Sequence, residues 1–268
     1  MDDITFGGTR NDVATDVIKI RSEGGALGLQ LKAKKCELIQ HSSTSAEPAF
    51  QDFVIMTPDK ALLLGAPLTE GPSLNDVLYA SCGELKSRAI GRLSLLPAHD
   101  ALALLKSSFS APKIMHTLRC SSCFGNEALE QFDSLLRSGL CTITNLAVYD
   151  PQWIQASLPV STGGLGIRRV VSLALPAFLA SAASTHSLQS LLLINCHCRL
   201  TIDSNRERLM RTWTTIYNMN TPGSPSDTKQ SVWDRPGIMA DQAVVMSAFT
   251  DNFNRVRLLA ALASHSGD

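Results

Sequence analysis

The first residues of the chain offer the clearest candidates for chemistry, two adjacent carboxylates at Asp2 and Asp3. Carboxylate oxygens are ligands that Mg²⁺ prefers, and two bound metal ions can hold the attacking and leaving oxygens of phosphoryl transfer in line. Two neighbouring acids are also common at an ordinary surface turn. The pair alone therefore leaves a metal site and a plain turn both open.

Cysteine pairs are the other candidates for metal binding. Two serines separate Cys120 from Cys123, and a histidine separates Cys196 from Cys198. The Cys-x-Cys spacing suits tetrahedral zinc poorly and the pairs lie far apart in the chain, so we predict no zinc site. The odd total of 7 cysteines and the absence of a signal-like start predict reduced thiols in an intracellular protein of the nucleus or cytoplasm.

The glycine-rich run GGLGI at residues 163–167 resembles a nucleotide-binding loop only superficially. It lacks the third spaced glycine of a dinucleotide fingerprint and the Gly-Lys of a phosphate loop, so no small-molecule cofactor is expected. The run instead predicts a turn before a helix. Such a turn would leave Arg168 and Arg169 free for solvent or for a phosphate backbone.

Composition limits the function classes. With 268 residues, 44% of them hydrophobic, the chain can bury a sizeable core. Its 24 basic and 24 acidic residues cancel, so any contact with nucleic acid has to be local. The longest mild apolar stretch, residues 170–184, contains Pro176 and falls short of the roughly 20 residues that a membrane span needs. We therefore predict no membrane association.

The elements that must position these residues change character near residue 70. Before it, Val13, Val17 and Ile20 predict one helix over residues 11–22, which Gly24 and Gly25 should end. Short apolar runs bracketed by turn residues follow. This part of the chain is predicted to be a small α+β region with antiparallel strands.

The rest of the chain is predicted to be mostly α-helical. Leu74, Val77, Leu78 and Leu85 fall at helical spacing and predict a helix that continues until Pro97. Residues 151–169 should form a loop, and a flexible linker is expected near residues 218–232. Further helices are predicted over residues 100–108, 113–119, 126–140, 170–184, 187–194 and 241–262.

Three motifs follow one another in a distinctive order. MDDITFGGT is followed by a helix, then by GLQLKAKKCELI, and then by ALLLGAPL. This order and spacing resembles the second half of the palm of a reverse transcriptase of the kind found in non-LTR retrotransposons. PAHDALALLKSSFSAPKIMHTLR and LPVSTGGLGIRRVVSLALPAFLAS resemble the segments that follow the polymerase core in such retroelement proteins. The resemblance covers the chain to about residue 185.

The resemblance implies roles for individual residues. Asp2 and Asp3 would be the catalytic, Mg²⁺-binding pair, with Asp2 as the principal ligand. Lys35 would offset the charge of the bound triphosphate and could protonate the leaving pyrophosphate, and Lys34 is the neighbouring candidate. Gly65 would allow the backbone to approach the primer strand closely. The alternatives for these positions are a solvated lysine face and an ordinary turn glycine.

The helical region would take the place of the thumb. Lys86, Arg88 and Arg92 would lie along the backbone of an RNA/DNA template-primer duplex, and positions 88 and 92 should share one helix face. The implied division is a partial palm over residues 1–70, a thumb-like helical region over 71–145 and a C-terminal helical extension over 146–268.

The resemblance also implies what the family needs besides these parts. A further metal-binding Asp, a nucleotide-selecting segment and the fingers would all lie upstream of Met1. We therefore predict a fragment of an RNA-directed DNA polymerase, a nucleotidyltransferase that uses two Mg²⁺ ions only when complete, with no cofactor for this chain alone. Magnesium-dependent primer extension by the 268-residue chain would contradict this prediction. The alternative is a non-enzymatic helical module that binds a nucleic-acid duplex or a protein partner.

Overall fold

A computed structural model describes residues 4–40, 47–193, 204–222, 229–249 and 251–263. Most of these residues are helical, and the strands form two sheets of two strands each, so the prediction of an α+β chain with a helical majority is confirmed. The strands are β1 (Glu37–Ile39), β2 (Val54–Met56), β3 (Leu62–Leu63) and β4 (Ala66–Pro67). The helices are α1 (Arg10–Ala26), α2 (Pro72–Glu84), α3 (Gly91–Leu93), α4 (Ala98–Leu104), α5 (Ala111–Cys120), α6 (Glu127–Thr144), α7 (Asp150–Ser157), α8 (Val170–Leu193), α9 (Ser204–Tyr217), α10 (Gln230–Ala248) and α11 (Asn252–Ala263).

The end of α1 corrects the sequence prediction. The helix continues through Gly24 and Gly25 to Ala26. The backbone N–H of Gly28 donates to the carbonyl of Gly25, and that of Leu29 to the carbonyl of Gly24 at 2.8 Å. These are the two bonds of a Schellman motif, and Gly28 is its left-handed residue with φ +78°. Gly28 therefore ends the helix, and the earlier pair forms its last turn.

The two small sheets differ in direction. β3 and β4 form the expected antiparallel hairpin, with Leu63 opposite Ala66. β1 and β2 are parallel, with Glu37 opposite Val54, so the prediction of antiparallel strands is wrong there. A parallel pair needs a crossover of a dozen or more residues, and the segment between β1 and β2 is long enough to supply it.

The main core lies among the helices that follow residue 70. Leu74, Leu78 and Leu85 are buried, which confirms the helix that their spacing predicted. This helix is continuous from α2 through a π-helical turn (Leu85–Ile90) into α3. α6 begins as predicted, because the side chain of Asn126 accepts a hydrogen bond from the N–H of Ala128 at 3.0 Å.

The C-terminal part of the chain departs from the predicted pattern in four places, the first being that the single helix predicted over residues 241–262 is divided between α10, which ends at Ala248, and α11, which begins at Asn252. α7 occupies part of the expected loop, because the Gln152 side chain accepts the N–H of Tyr149 at the helix start while Trp153 is buried. α8 is a single helix through Pro176 where two helices were predicted. α10 already begins at Gln230, inside the linker predicted near 218–232, and residues 223–228 of that linker lie outside the described residues. α9 had no sequence prediction.

α8 is the one helix in the described part of the chain that is long and apolar enough, over Val170–Gln189, to cross a membrane by length and composition. It contacts α5, α6, α9 and α10. Leu173, Leu175 and Leu179 are buried in these contacts. Such packing is also that of a core helix, so the apolar sequence is weak support for a membrane span.

The N-terminus of α8 is capped by a carboxylate from α6. Asp133 accepts the backbone N–H of Val170 at 2.7 Å and that of Val171 at 3.2 Å. Burial raises the pKa of Asp133 from its ordinary 3.8 to about 6, although the two N–H donors and Arg169 act in the opposite direction. Between these two values the folded state holds a proton that the unfolded chain has released. This group therefore makes the protein less stable as pH rises through that window.

The Asp133→Asn variant should lose this pH dependence. We expect the free energy of unfolding of the wild type, minus that of the variant, to fall between about pH 4 and pH 6 and to level off above. Urea unfolding at several pH values measures the difference. Glu130→Gln, an exposed acid on the same helix, is the matched control and should keep the wild-type slope. Parallel curves for the wild type and Asp133→Asn would contradict the assignment.

The backbone around Gly164 leaves no room for a side chain. A Cβ atom at this position would clash with the carbonyl oxygens of Leu158 and Gln155. Because both obstacles are backbone, Gly164→Ala should destabilise the fold by about 3 kcal/mol. Gly83 lies inside α2 with nothing within 4 Å of its added Cβ, so Gly83→Ala should instead gain about 0.5–1 kcal/mol. Thermal unfolding of the two variants tests this contrast.

Candidate nucleic-acid interface

Arg88 and Arg92, whose spacing of four residues predicts one shared helix face, both line one cleft. They project from the π-helical turn and from α3, and both are exposed. Neither arginine forms an ion pair or hydrogen bond with another residue of the described ranges. Two guanidinium groups are therefore available to an anion from solvent.

The opposite wall adds one more cation, which is paired with an acid from the helix that carries the arginines. Lys113, in the first turn of α5, lies with its ammonium nitrogen 2.6 Å from Oε2 of Glu84, the last residue of α2. The hydrogen bond and the charge of Lys113 lower the pKa of the Glu84 carboxyl, and Arg88 lowers it further. The cleft thus carries three cations against one carboxylate, in a chain whose net charge is zero.

The floor of the cleft is apolar, and the cleft has a volume of about 310 Å³. Two π-helical turns border it, since Leu85, Arg88 and Ala89 belong to the first and Phe109 to a second turn, Leu105–Phe109. Single π turns inserted in α-helices occur frequently at functional sites. The apolar lining consists of Leu85, Ala89, Leu93, Leu96, Leu104 and Phe109.

The remaining basic candidates lie elsewhere. Lys86 belongs to the same π-helical turn as Arg88 and is exposed, but it does not line the cleft. Lys34 and Lys35 are exposed in a 3₁₀ turn, Ala33–Lys35, just before β1. The sequence did not single out Lys113, because nothing in its local pattern shows which helix faces α5.

The hairpin around Gly65 lies against the same helix α5. Leu64 and Gly65 have φ values of +51° and +80°, so both central residues of the two-residue turn are left-handed, as a type I′ turn requires. Nε2 of His116 lies 3.1 Å from the carbonyl oxygen of Leu64, and Oγ of Ser121 donates to the carbonyl of Pro67 at 2.9 Å. α5 therefore supports the hairpin and also supplies one wall of the cleft.

The residues proposed for metal chemistry are only partly described. Asp2 and Asp3 lie outside the described residues, as do Cys196 and Cys198. Cys120 is exposed, whereas Cys123 is buried and its burial raises the pKa of the thiol to about 12. The described ranges contain no group of three or more His, Cys, Asp or Glu side chains that could hold a metal ion.

The prediction that Arg168 and Arg169 are free is wrong. Nη2 of Arg168 donates to both carboxylate oxygens of Asp234, at 3.0 and 2.8 Å. Nη2 of Arg169 likewise donates to the carboxylate of Asp241 at 2.6 Å. Both acids belong to α10, and the sequence gives no sign that this helix returns to the start of α8. These arginines therefore hold two helices together.

Comparisons of the chain with protein families, with curated proteins and with solved structures found no match.

Proposed function

We propose that this chain is the C-terminal part of a non-LTR-type reverse transcriptase and that its helical region binds the backbone of an RNA/DNA template-primer duplex. The observation that carries the proposal is the cleft in which Arg88, Arg92 and Lys113 converge from two walls. The ligand, a template-primer duplex, is inferred from the resemblance of the surrounding segments to such polymerases. The type I′ hairpin at Gly65, seated on α5, supports the same assignment to the primer side of the protein.

The charged side chains of the cleft are suited to binding phosphate groups and less suited to recognising bases by hydrogen bonds. Arginine guanidinium groups bind phosphate oxygens through two parallel N–H donors, and lysine adds a point charge. Contacts of this kind position a protein on a duplex without reading its sequence. The binding should therefore depend strongly on salt and little on sequence.

The polymerase reaction itself belongs to the same proposal. Asp2 and Asp3 would bind Mg²⁺ in a complete polymerase, and Lys35 would act at the triphosphate. Lys34 and Lys86 are proposed as additional, peripheral contacts to nucleic acid. Nuclear or cytoplasmic location follows only from this proposed function.

Fluorescence anisotropy with a labelled RNA/DNA hybrid tests the proposal. The phosphate contacts of Arg88 and Arg92 should make the logarithm of the association constant fall with the logarithm of the salt concentration with a slope of about −1.8. Two hybrids of equal length and unrelated sequence should bind alike. Absence of binding at low salt, or binding that salt leaves unchanged, would contradict the proposal.

Replacing Glu84 by Gln should strengthen this binding. The substitution removes the one carboxylate of the cleft and frees the ammonium group of Lys113 for a phosphate. We expect a severalfold higher affinity at low salt and a smaller gain at high salt. Glu130→Gln, which removes the same charge from the surface of α6, should leave the affinity unchanged. Equal effects of the two substitutions would show that only net charge matters.

One observation favours the alternative, a non-enzymatic module that binds a protein partner. Phe253, Val256 and Leu259 of α11 are exposed at helical spacing and form an apolar stripe. Amphipathic helices of this kind dock into grooves of other proteins. Duplex binding that is indifferent to charge reversal of Arg88 and Arg92 would favour this alternative.

A further inference from the structure

We propose that the cleft binds one unpaired nucleotide of the nucleic acid, with its phosphate on Arg88 and Arg92 and its base against the apolar floor. This inference rests on the proposed function, because it names which part of the bound nucleic acid enters the cleft. It concerns a concave site, whereas contact with a continuous duplex backbone needs only a charged surface.

The apolar floor is the first reason for an occupant other than bare phosphate. Leu85, Ala89 and Leu93 are buried at its base, and Leu96 and Leu104 remain 43% and 40% exposed at its edges. A phosphate group gains nothing from such surfaces, whereas the face of a base removes apolar area from water when it lies on them. The half-buried ring of Phe109 adds an aromatic contact of the kind on which bases stack.

The charges give the occupant its orientation. The two arginines lie one helical turn apart on one wall, and Lys113 lies on the other wall and pairs across the cleft with Glu84 of the arginine wall. An occupant with an anionic part and an apolar part would therefore place the anionic part at the edge, near the cations, and the apolar part on the floor. A nucleotide has this division between its phosphate and its base.

The size of the cleft limits the occupant to one small unit. Its volume of about 310 Å³ lies at the lower end of the range for small-molecule pockets. A paired base has both faces covered by its neighbours in the stack and cannot enter. A nucleotide that is already unpaired, at an end or in a bulge, enters without the cost of breaking a base pair.

The cleft should not distinguish among the four bases. Its only polar side chains are Glu84, Arg88, Arg92 and Lys113, and the charges of these four groups are directed to each other or to phosphate. Apolar and stacking contacts tolerate any base, because every base has a π face. The inferred specificity is therefore for an unpaired nucleotide of any sequence.

Anisotropy with three hybrids of one core sequence tests the inference. The first is blunt, the second carries one unpaired nucleotide at an end, and the third carries an abasic residue there with the same phosphate. We expect the second to bind roughly tenfold more tightly than the other two, as one stacked base would give. The advantage should be similar for all four bases.

Variants of the cleft edge supply the matched comparison. The double substitution Leu96→Ala and Leu104→Ala should abolish the tenfold advantage of the unpaired nucleotide over the abasic end, because it removes the apolar edge against which the base lies. Leu95→Ala is the control, because Leu95 is 83% exposed next to Leu96 and does not line the cleft. Circular dichroism melting confirms that each variant is folded.

The possible failures are distinguishable. If all three hybrids bind the wild type equally, the inference is wrong and the proposed function stands. The inference is equally wrong if the abasic end binds as tightly as the unpaired nucleotide, or if the double variant keeps the tenfold advantage of the unpaired nucleotide. If none of the hybrids binds, the proposed function fails and the inference fails with it.

Discussion

The double charge reversal Arg88→Glu and Arg92→Glu is expected to lower the affinity for an RNA/DNA hybrid by about a hundredfold or more at low salt. Both residues lie exposed in one cleft, so the substitutions should not disturb the core. They remove two phosphate contacts and place two additional negative charges beside Glu84. The salt dependence of any residual binding should also weaken, because fewer counterions are released.

A single-residue comparison separates the cleft from the rest of the helix. Lys86→Glu and Arg88→Glu change the charge equally and lie in one π-helical turn, but only Arg88 lines the cleft. We expect the Arg88 variant to lose at least several times more affinity than the Lys86 variant. Equal losses would mean that binding follows the general charge of the helix and does not use the cleft.

The second large effect concerns the junction of α8 and α10. Asp234→Ala should destabilise the fold by about 3–5 kcal/mol, because it leaves the guanidinium of Arg168 partly buried without its carboxylate. The Asp234 side chain is only 8% exposed, and burial raises its pKa while Arg168 opposes that shift. Urea unfolding followed by circular dichroism measures the loss.

An exposed ion pair gives the control for this prediction. Asp150 pairs with Arg137 at 2.7 Å, but the Asp150 side chain is 82% exposed. Asp150→Ala should therefore cost less than about 1 kcal/mol. If Asp150→Ala and Asp234→Ala cost the same, the contact between Arg168 and Asp234 does not hold α10 in place.

Local patterns predicted the helices of the main core well. Apolar spacing located the long helix after residue 70, and Asn126 marked the start of α6. Both signals lie within a few residues of the element that they specify. The predicted end of α1 was wrong because three glycines lie near it and the sequence does not show which of them ends the helix. The hydrogen bonds and the positive φ identify Gly28 as the glycine in the left-handed conformation.

Contacts between distant segments could not be predicted in the same way. The parallel pairing of β1 with β2 and the ion pairs of Arg168 and Arg169 depend on how the chain returns to itself. The cleft could be predicted only in part. Spacing placed Arg88 and Arg92 on one helix face but did not show that Lys113 lies opposite them. Lys86 was grouped with these arginines because it is close to them in sequence. Closeness in sequence does not determine the direction of a side chain.

Hydrogen exchange with and without a bound hybrid is the most direct test of the nucleic-acid interface. We expect protection on binding to be concentrated in residues 84–96 and 104–113, which form the two walls of the cleft, and to be absent from α11. The unbound chain and the double charge-reversal variant serve as references. Binding of the hybrid with no protection in either wall, or with protection only around Lys34 and Lys35, would contradict the central proposal.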